Sequence, residues 1–247
     1  MSGLAESAAP VLKAQGLRRR FGGLVAVADV SFEIWPNEIL GLIGPNGAGK
    51  STIFNLLSGY FRPHNGRLTF LGDDITGRTP SEISRKGLVR TFQHDSLLRD
   101  MSVYDNILVA TVSSLRDRKA RHRRVEETAD LLDLTDVLGE EASNLPHGHQ
   151  RMLGVAIAVA TRPKLLCLDE CLTGLNLTEV GRALGFIRRI RDEFGMAILF
   201  VEHNMRAVMQ VCDRILVLHH GLLLAEGTPD QVSRDPKVLE AYLGSRR

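Results

Sequence analysis

The stretch Gly44-Pro45-Asn46-Gly47-Ala48-Gly49-Lys50-Ser51-Thr52 constrains the fold more than any other part of this chain. It fits the pattern G-x-x-x-x-G-K-[ST] and follows the apolar run Ile39-Leu40-Gly41-Leu42-Ile43. A buried strand, a tight turn and a helix in that order is an α/β arrangement. The glycines let the backbone turn until successive N–H groups face an anion, and the helix behind adds the positive end of its dipole. Lys50 supplies a point charge for terminal phosphates. Ser51 offers a hydroxyl to Mg²⁺, which keeps most of its waters and takes few protein ligands. The bland alternative is a glycine-rich turn with a surface lysine. The strand before and the helix after favour the phosphate site.

A chain of 247 residues can bury one full α/β core, whereas two independent domains would be cramped. With 31 basic and 29 acidic residues the net charge is +2, so no global field draws the chain to nucleic acid and none is expected as a partner. Three cysteines do not make a disulfide framework, and Cys167 and Cys212 sit in or beside apolar segments, which suits a reducing cytosol. No apolar run approaches the ~20 residues that cross a bilayer, and Met1 to Pro10 lacks the pattern of a signal peptide. The expectation is a chain that does not enter a membrane by itself.

Residues 1–10 are small and polar and read as a disordered tail. Val11 to Leu17 reads as a strand, Phe21-Gly22-Gly23 as a turn, and Val30 to Ile34 as an alternating strand with one wet face. Ile53, Leu56 and Leu57 give one face of the helix after the phosphate loop, with Gly59 placed to end it. Gly66 to Leu71 is strand-like. Thr79-Pro80-Ser81-Glu82 combines a capping box with proline at the first helical position. Leu88 to Gln93 is strand-like again. From 94 to 160 the signals turn helical: Ser102 caps a helix through Leu108, and further helices span Val125 to Leu134 and Gln150 to Ala160. Sheet resumes with Leu165 to Leu168, followed by a helix from Thr178 to Phe194, a strand from Ala197 to Val201, a hairpin around His219-His220-Gly221, and two short C-terminal helices. The expected organisation is one domain over 11–247, with 11–93 and 161–247 forming a core plus antiparallel β-subdomain and 94–160 an inserted helical subdomain.

Buried strands ending at Gly44, Asp169 and His203 make a parallel sheet with ligand groups at the carboxyl ends of its strands. Asp169 and Glu170 there suit a nucleotide triphosphatase, in which the first carboxylate holds Mg²⁺ and the second orients or deprotonates the attacking water. His203 can hydrogen-bond a γ-phosphate, and Gln93 can position water or metal. Each of these alone is more often an ordinary polar residue at a surface. Their weight comes from converging on one sheet edge.

In order and spacing, the phosphate loop, Gln93, Leu145-Pro146-His147-Gly148-His149-Gln150, Leu165 to Glu170, Gly174-Leu175-Asn176 and His203 resemble the ATP-binding-cassette ATPases of membrane transporters. The resemblance runs from about Leu12 to Gly244. It implies a P-loop NTPase core with a parallel sheet, an antiparallel β-subdomain and an inserted helical subdomain, with ATP and Mg²⁺ as cofactors. Phe21 matches the aromatic residue that stacks on adenine, Gln93 the Q-loop, and Asp169 the metal-binding aspartate. Glu170 matches the catalytic base and His203 the switch histidine; Gly148 lies in the signature that binds ATP held by the opposite subunit. Implied partners are a second cassette, transmembrane permease subunits and, indirectly, a solute-binding protein, at the cytoplasmic face of the membrane. Phe21-Gly22-Gly23-Leu24, Arg90-Thr91-Phe92-Gln93 and Ala241-Tyr242-Leu243-Gly244 look like cassettes of branched-chain amino acid importers. Cassettes for urea, short-chain amides and lipopolysaccharide are similar.

The chain departs from the family pattern at several points. The signature L-S-G-G-Q reads Leu145-Pro146-His147-Gly148-His149, which removes a serine hydroxyl. The proline after the catalytic glutamate is Cys171, and Asn176 replaces the usual D-loop aspartate. None of these removes Lys50, Asp169, Glu170 or His203. The run Arg116 to Arg124 holds six Lys or Arg in nine positions, read as a solvated loop or helix face with lipid headgroups or acidic loops as the rival. The pairs His147/His149 and His219/His220 lack the companions of a metal site. Two other classes stand beside the transporter reading: a soluble cassette acting on ribosomes or DNA, whose tandem cassettes and coiled coils are missing here, and a nucleotide switch whose hydrolysis has faded.

Overall fold

The computed structural model describes residues 9–91 and 97–243, so Gln93, Gly244 and most of the expected tail lie outside the described residues. Strands β1 (Leu12–Phe21) and β2 (Leu24–Ile34) pair antiparallel across the turn at Gly22 and Gly23. β3 (Ile39–Ile43) is buried along its whole length and delivers the chain into the phosphate loop and α1 (Lys50–Leu57). β4 (Asn65–Phe70) and the short β5 (Asp73–Asp74) follow. Then α2 (Pro80–Lys86) opens on the Thr79/Glu82 capping box and stops at Gly87. After β6 (Leu88–Arg90) come α3 (Val103–Thr111), α4 (Arg118–Leu131) and α5 (His147–Ala160). β7 (Leu165–Asp169), α6 (Leu177–Phe194), β8 (Ala197–Val201) and α7 (Met205–Val211) alternate, as parallel strands require. The hairpin β9 (Arg214–His219) and β10 (Leu222–Gly227) leads to α8 (Pro229–Arg234) and α9 (Pro236–Leu243).

The strands form two sheets. The smaller one, in order β2-β1-β4-β5, is antiparallel. The larger runs β10-β9-β3-β8-β7-β6 and is parallel except for the β9/β10 hairpin at one edge. Leu40 and Leu42 of β3 face one core, with Ile53, Phe54, Leu56 and Leu57 of α1 and the apolar side of the smaller sheet. Ile39 and Ile43 face the other, with α5, α6 and the helices between β6 and β7. The helix behind the phosphate loop is therefore packed between the two sheets, which fixes the loop at the carboxyl end of the central strand.

Several elements differ from the expectations, among them β2, which begins at Leu24 rather than Val30, and the short β5, which was not expected. α4 begins at Arg118, well before Val125, because Asp117 accepts the N–H of Ala120 as a helix cap. Residues Arg118 to Arg124 of the basic run thus form the first turns of α4, with Arg121 and Arg124 half-buried and donating to the Leu115 and Ala160 carbonyls. α7 was not anticipated, although Asn204 caps it by accepting the N–H of Ala207.

Candidate active site

The phosphate loop needs glycine at its ends for steric reasons. Gly44 has φ +153° and a Cβ there would sit 2.2 Å from the Leu218 carbonyl oxygen; at Gly49, with φ +108°, it would sit 2.5 Å from that of Ala26. Lys50, the first residue of α1, is buried and donates from Nζ to the carbonyls of Gly44 (2.7 Å) and Pro45 (3.2 Å). Burial pushes its ammonium below the usual lysine range, against the opposing charges of Glu170 and Asp169.

One cleft of about 550 Å³ is lined by Phe21, Leu24, Val25, Ala26, Asn46 to Thr52, Glu170, His203 and His220. The expected base platform, phosphate loop, carboxylate and histidine thus share one cavity. The Phe21 ring packs edge-on to Phe61, with ring centroids 5.2 Å apart, and the Arg19 guanidinium lies 4.9 Å from the Phe21 centroid. Those neighbours hold one side of the ring and leave it partly exposed. Gly44, Pro45 and Asp169 are not part of the cleft lining, and Gly148 lines a separate cavity with His149, Met152, Leu175 and Phe186.

Glu170 stands just past the end of β7, at φ +49°, where only a minority of non-glycine residues are found. Its N–H donates to the Val201 carbonyl at 2.9 Å, which fixes the strained turn to the end of β8. Its Oε1 lies 2.7 Å from His203 Nε2. Asp169 is 5% exposed; its Oδ2 accepts from Arg90 Nη2 at 2.7 Å and its N–H donates to Thr91 Oγ1 at 3.2 Å. Burial pushes the Asp169 carboxyl up and the Arg90 charge pulls it down. With Oδ2 committed, Asp169 keeps a second oxygen for a cation, and Ser51 lies in the cleft lining; this donor set of hard oxygens fits Mg²⁺.

Residues of the site to which the sequence assigned no role there are Leu24 to Ala26, Arg90, Glu202 and His220; Leu24 and Arg90 entered only within importer-like motifs, and His220 only in a hairpin and a rejected metal pair. Glu202 is 4% exposed and accepts the Leu172 N–H at 2.7 Å through Oε1. Burial lifts its carboxyl to about 7, against the hydrogen bonds from the backbone of Leu172 and His203 and with help from the Glu170 charge. His220 reaches the cleft from the β9/β10 turn at φ +49°. Gly221 after it donates to the Ala48 carbonyl and accepts from Ala28, which ties that turn to the loop.

Fold and site together define a P-loop nucleoside triphosphatase. The ABC transporter family profile matches residues 27–173, and that of the branched-chain amino acid ATP-binding cassette transporter matches 223–247. The chain belongs to the ABC transporter family. It is 40% identical over 250 residues to the high-affinity branched-chain amino acid transport ATP-binding protein LivG of Escherichia coli K12, covering 95% of this chain and 98% of that protein. To the lipopolysaccharide export system ATP-binding protein LptB of Acidithiobacillus ferridurans it is 34% identical, covering 96% and 98%. A crystal structure of the ADP conformation of an ATP-binding cassette of an ABC transporter superposes with a TM-score of 0.86 at 27% identity, covering 96% of this chain and all of that one. The chain is therefore an ATP-hydrolysing subunit of an ABC transporter, peripheral to the membrane. Among the described residues no helix is long and apolar enough to cross a membrane.

Proposed function

We propose that this subunit powers the import of branched-chain amino acids or similar small polar solutes from the cytoplasmic face of the membrane, in a complex that also engages a solute-binding protein. The observation that carries the catalytic part is the shared cleft of Phe21, the phosphate loop, Glu170 and His203. The similarity to LivG and the match over residues 223–247 support the cargo class.

In this reading residues 11–93 and 161–247 hold the nucleotide and 94–160 form the helical subdomain. Phe21 stacks on the adenine, and the N–H groups of the loop from Gly44 to Thr52 cradle the phosphates. Lys50 leaves the loop carbonyls for phosphate oxygens. Ser51, Asp169 and Gln93 hold Mg²⁺, which when bound offsets charge on the phosphates. Glu170 takes a proton from the attacking water as its oxygen bonds to the γ-phosphorus and the bond to the ADP oxygen breaks. His203 keeps the Glu170 carboxylate oriented and donates to the γ-phosphate, while Gly148 of the opposite cassette closes over it. The hydroxyl missing at Pro146 costs that closure one hydrogen bond.

The test pairs two substitutions with a transport assay. Lys50→Ala abolishes ATP binding, whereas Glu170→Gln keeps binding and accumulates an ATP-bound dimer. Proteoliposomes holding the cassettes and their co-purified permease take up labelled leucine only with ATP and a functional Glu170. Hydrolysis by Glu170→Gln at the parent rate removes Glu170 as the base, and ATP-driven uptake that excludes leucine, isoleucine and valine removes the cargo assignment.

A further inference from the structure

Asp169 does not stand alone at the end of β7. Arg90, the last residue of β6, splits its guanidinium between two partners: Nη2 donates to Asp169 Oδ2 at 2.7 Å and Nη1 to Asn55 Oδ1 at 2.6 Å. Asn55 belongs to α1, one turn beyond Lys50 and Ser51. The guanidinium also lies 5.3 Å from the ring centroid of Phe54 on the same helix. Both members of the ion pair are shielded, with side chains 14% and 4% exposed. Thr91 adds to the hold from the same strand end: it accepts the Asp169 N–H, while its own N–H donates to the Cys167 carbonyl. The pairing follows from topology, since β6 runs parallel to β7 with Arg90 opposite Cys167.

A planar fork that reaches two acceptors at once fixes angle as well as distance, which a lysine ammonium cannot do. With Oδ2 held, the Asp169 carboxylate has one orientation and one oxygen left. With Asn55 held by the same group, the phosphate-loop helix and the strand that carries the metal-facing carboxylate are set against each other. We propose that Arg90 is the positioning residue of the metal site, which orients Asp169 for Mg²⁺ and locks that carboxylate to the helix behind the phosphate loop through Asn55. The proposal rests on the reading of Asp169 as the metal ligand. Arg90 touches neither nucleotide nor metal in this role and acts through Asp169.

A positive charge beside a cation site also repels the cation, so the two effects oppose each other. Orientation dominates here, because the Arg90 charge is already spent on the carboxylate oxygen that the metal does not use, and a free carboxylate in a site 5% exposed would turn to find another donor. Removing Arg90 therefore weakens metal binding.

The experiment uses the full chain with ADP and Mn²⁺ as the Mg²⁺ probe, read by electron paramagnetic resonance, beside the affinity for a fluorescent ATP analogue in EDTA. Arg90→Gln is expected to weaken Mn²⁺ binding to the protein–ADP complex at least tenfold and to change metal-free nucleotide affinity less than twofold. Arg90→Lys and Asn55→Ala each keep part of the link and fall between, a few-fold weaker than the parent. Parent-like or tighter Mn²⁺ binding in Arg90→Gln overturns the proposal, as does an equal loss with and without metal, which marks a merely structural arginine. If Arg90→Gln does not fold, parent-like Mn²⁺ binding in both Arg90→Lys and Asn55→Ala overturns it in the same way. Asp169→Asn separates the two claims: parent-like Mn²⁺ binding there refutes the assignment of the metal ligand itself, whereas a loss there with none in the Arg90 variants refutes only the role of Arg90.

Discussion

Replacing Glu202 by glutamine should change the pH dependence of stability, and its sign follows from the direction of the shift. The Glu202 carboxyl is raised from 4.5 to about 7, chiefly by burial. A raised acid prefers its neutral form in the folded state. Its favourable contribution is thus fully present below pH 4.5 and is lost as pH rises through 7. The gap between the two values, at about 1.4 kcal/mol per unit, amounts to roughly 3 kcal/mol. Glutamine does not titrate, so the stability difference between variant and parent should move in favour of the variant by about 2–3 kcal/mol between pH 5 and pH 8.5. A fixed offset is superimposed: the amide can offer one oxygen where the carboxylate meets two backbone N–H groups, at a cost of about 1 kcal/mol that is the same at every pH. Slope, not offset, carries the test. Urea unfolding of the nucleotide-free proteins across that range, at constant ionic strength, measures it. In thermal melts the same change is about 5–10 °C for a chain of this size. Parallel stability curves, within about 0.5 kcal/mol at all pH values, would refute the reasoning, since every other titrating group is common to both proteins.

Three further outcomes are expected. Pro146 precedes α5 without a side-chain cap, so Pro146→Ser restores a capping hydroxyl and Cys171→Pro restricts the turn at Glu170; each should raise turnover severalfold at most, about 1 kcal/mol of barrier, and unchanged or lower rates in both would reject the idea. An exposed apolar side chain on a fixed backbone suits a permease dock, and Leu98 is 44% exposed with its backbone held on both sides by the buried Asn106; Leu98→Asp should lose permease co-purification while ATP binding stays at the parent level, and full retention of the permease removes this surface as a dock. Gly174 has φ +83° and a Cβ there would lie 2.8 Å from the His147 ring; Gly174→Ala should leave ATP affinity intact but deplete the ATP-bound dimer in a Glu170→Gln background, an effect that gel filtration either detects or disproves.

Much of the fold was legible because its signals are local. The phosphate loop, the capping box at Thr79, and the apolar runs that end in Asp169 and His203 each lie within a few residues of the structure they specify. The start of α4 was not legible for a physical reason: before Val125 there is no apolar period to detect, and a single aspartate cap begins the helix. The pairing of Arg90 with Asp169 was not legible, because the two are 79 residues apart and meet only when β6 settles beside β7. Glu202 directly precedes His203 and carries no sequence signal of its own. That it is buried depends on the turn at Leu172 covering it, which no pattern in the strand encodes.

The separation of Gly148 from the cleft has a structural counterpart in how the turn after Glu170 is built. Thr173 donates to the Glu170 carbonyl and Leu175 to that of Leu172, so the turn is a compact unit that starts at Glu170 and ends at Asn176, the cap of α6. The His147 ring closes against Gly174 in that turn, and Glu179 of α6 crowds Gly148 from the other side, its Oε1 2.7 Å from where a Cβ would be. A family glycine at position 147 would leave the first contact out. In this chain the signature is therefore packed onto the segment that carries Glu170, although the two face different cavities. The histidine that breaks the family pattern thus sets a ring against the turn after Glu170, at a place where a glycine would leave a gap.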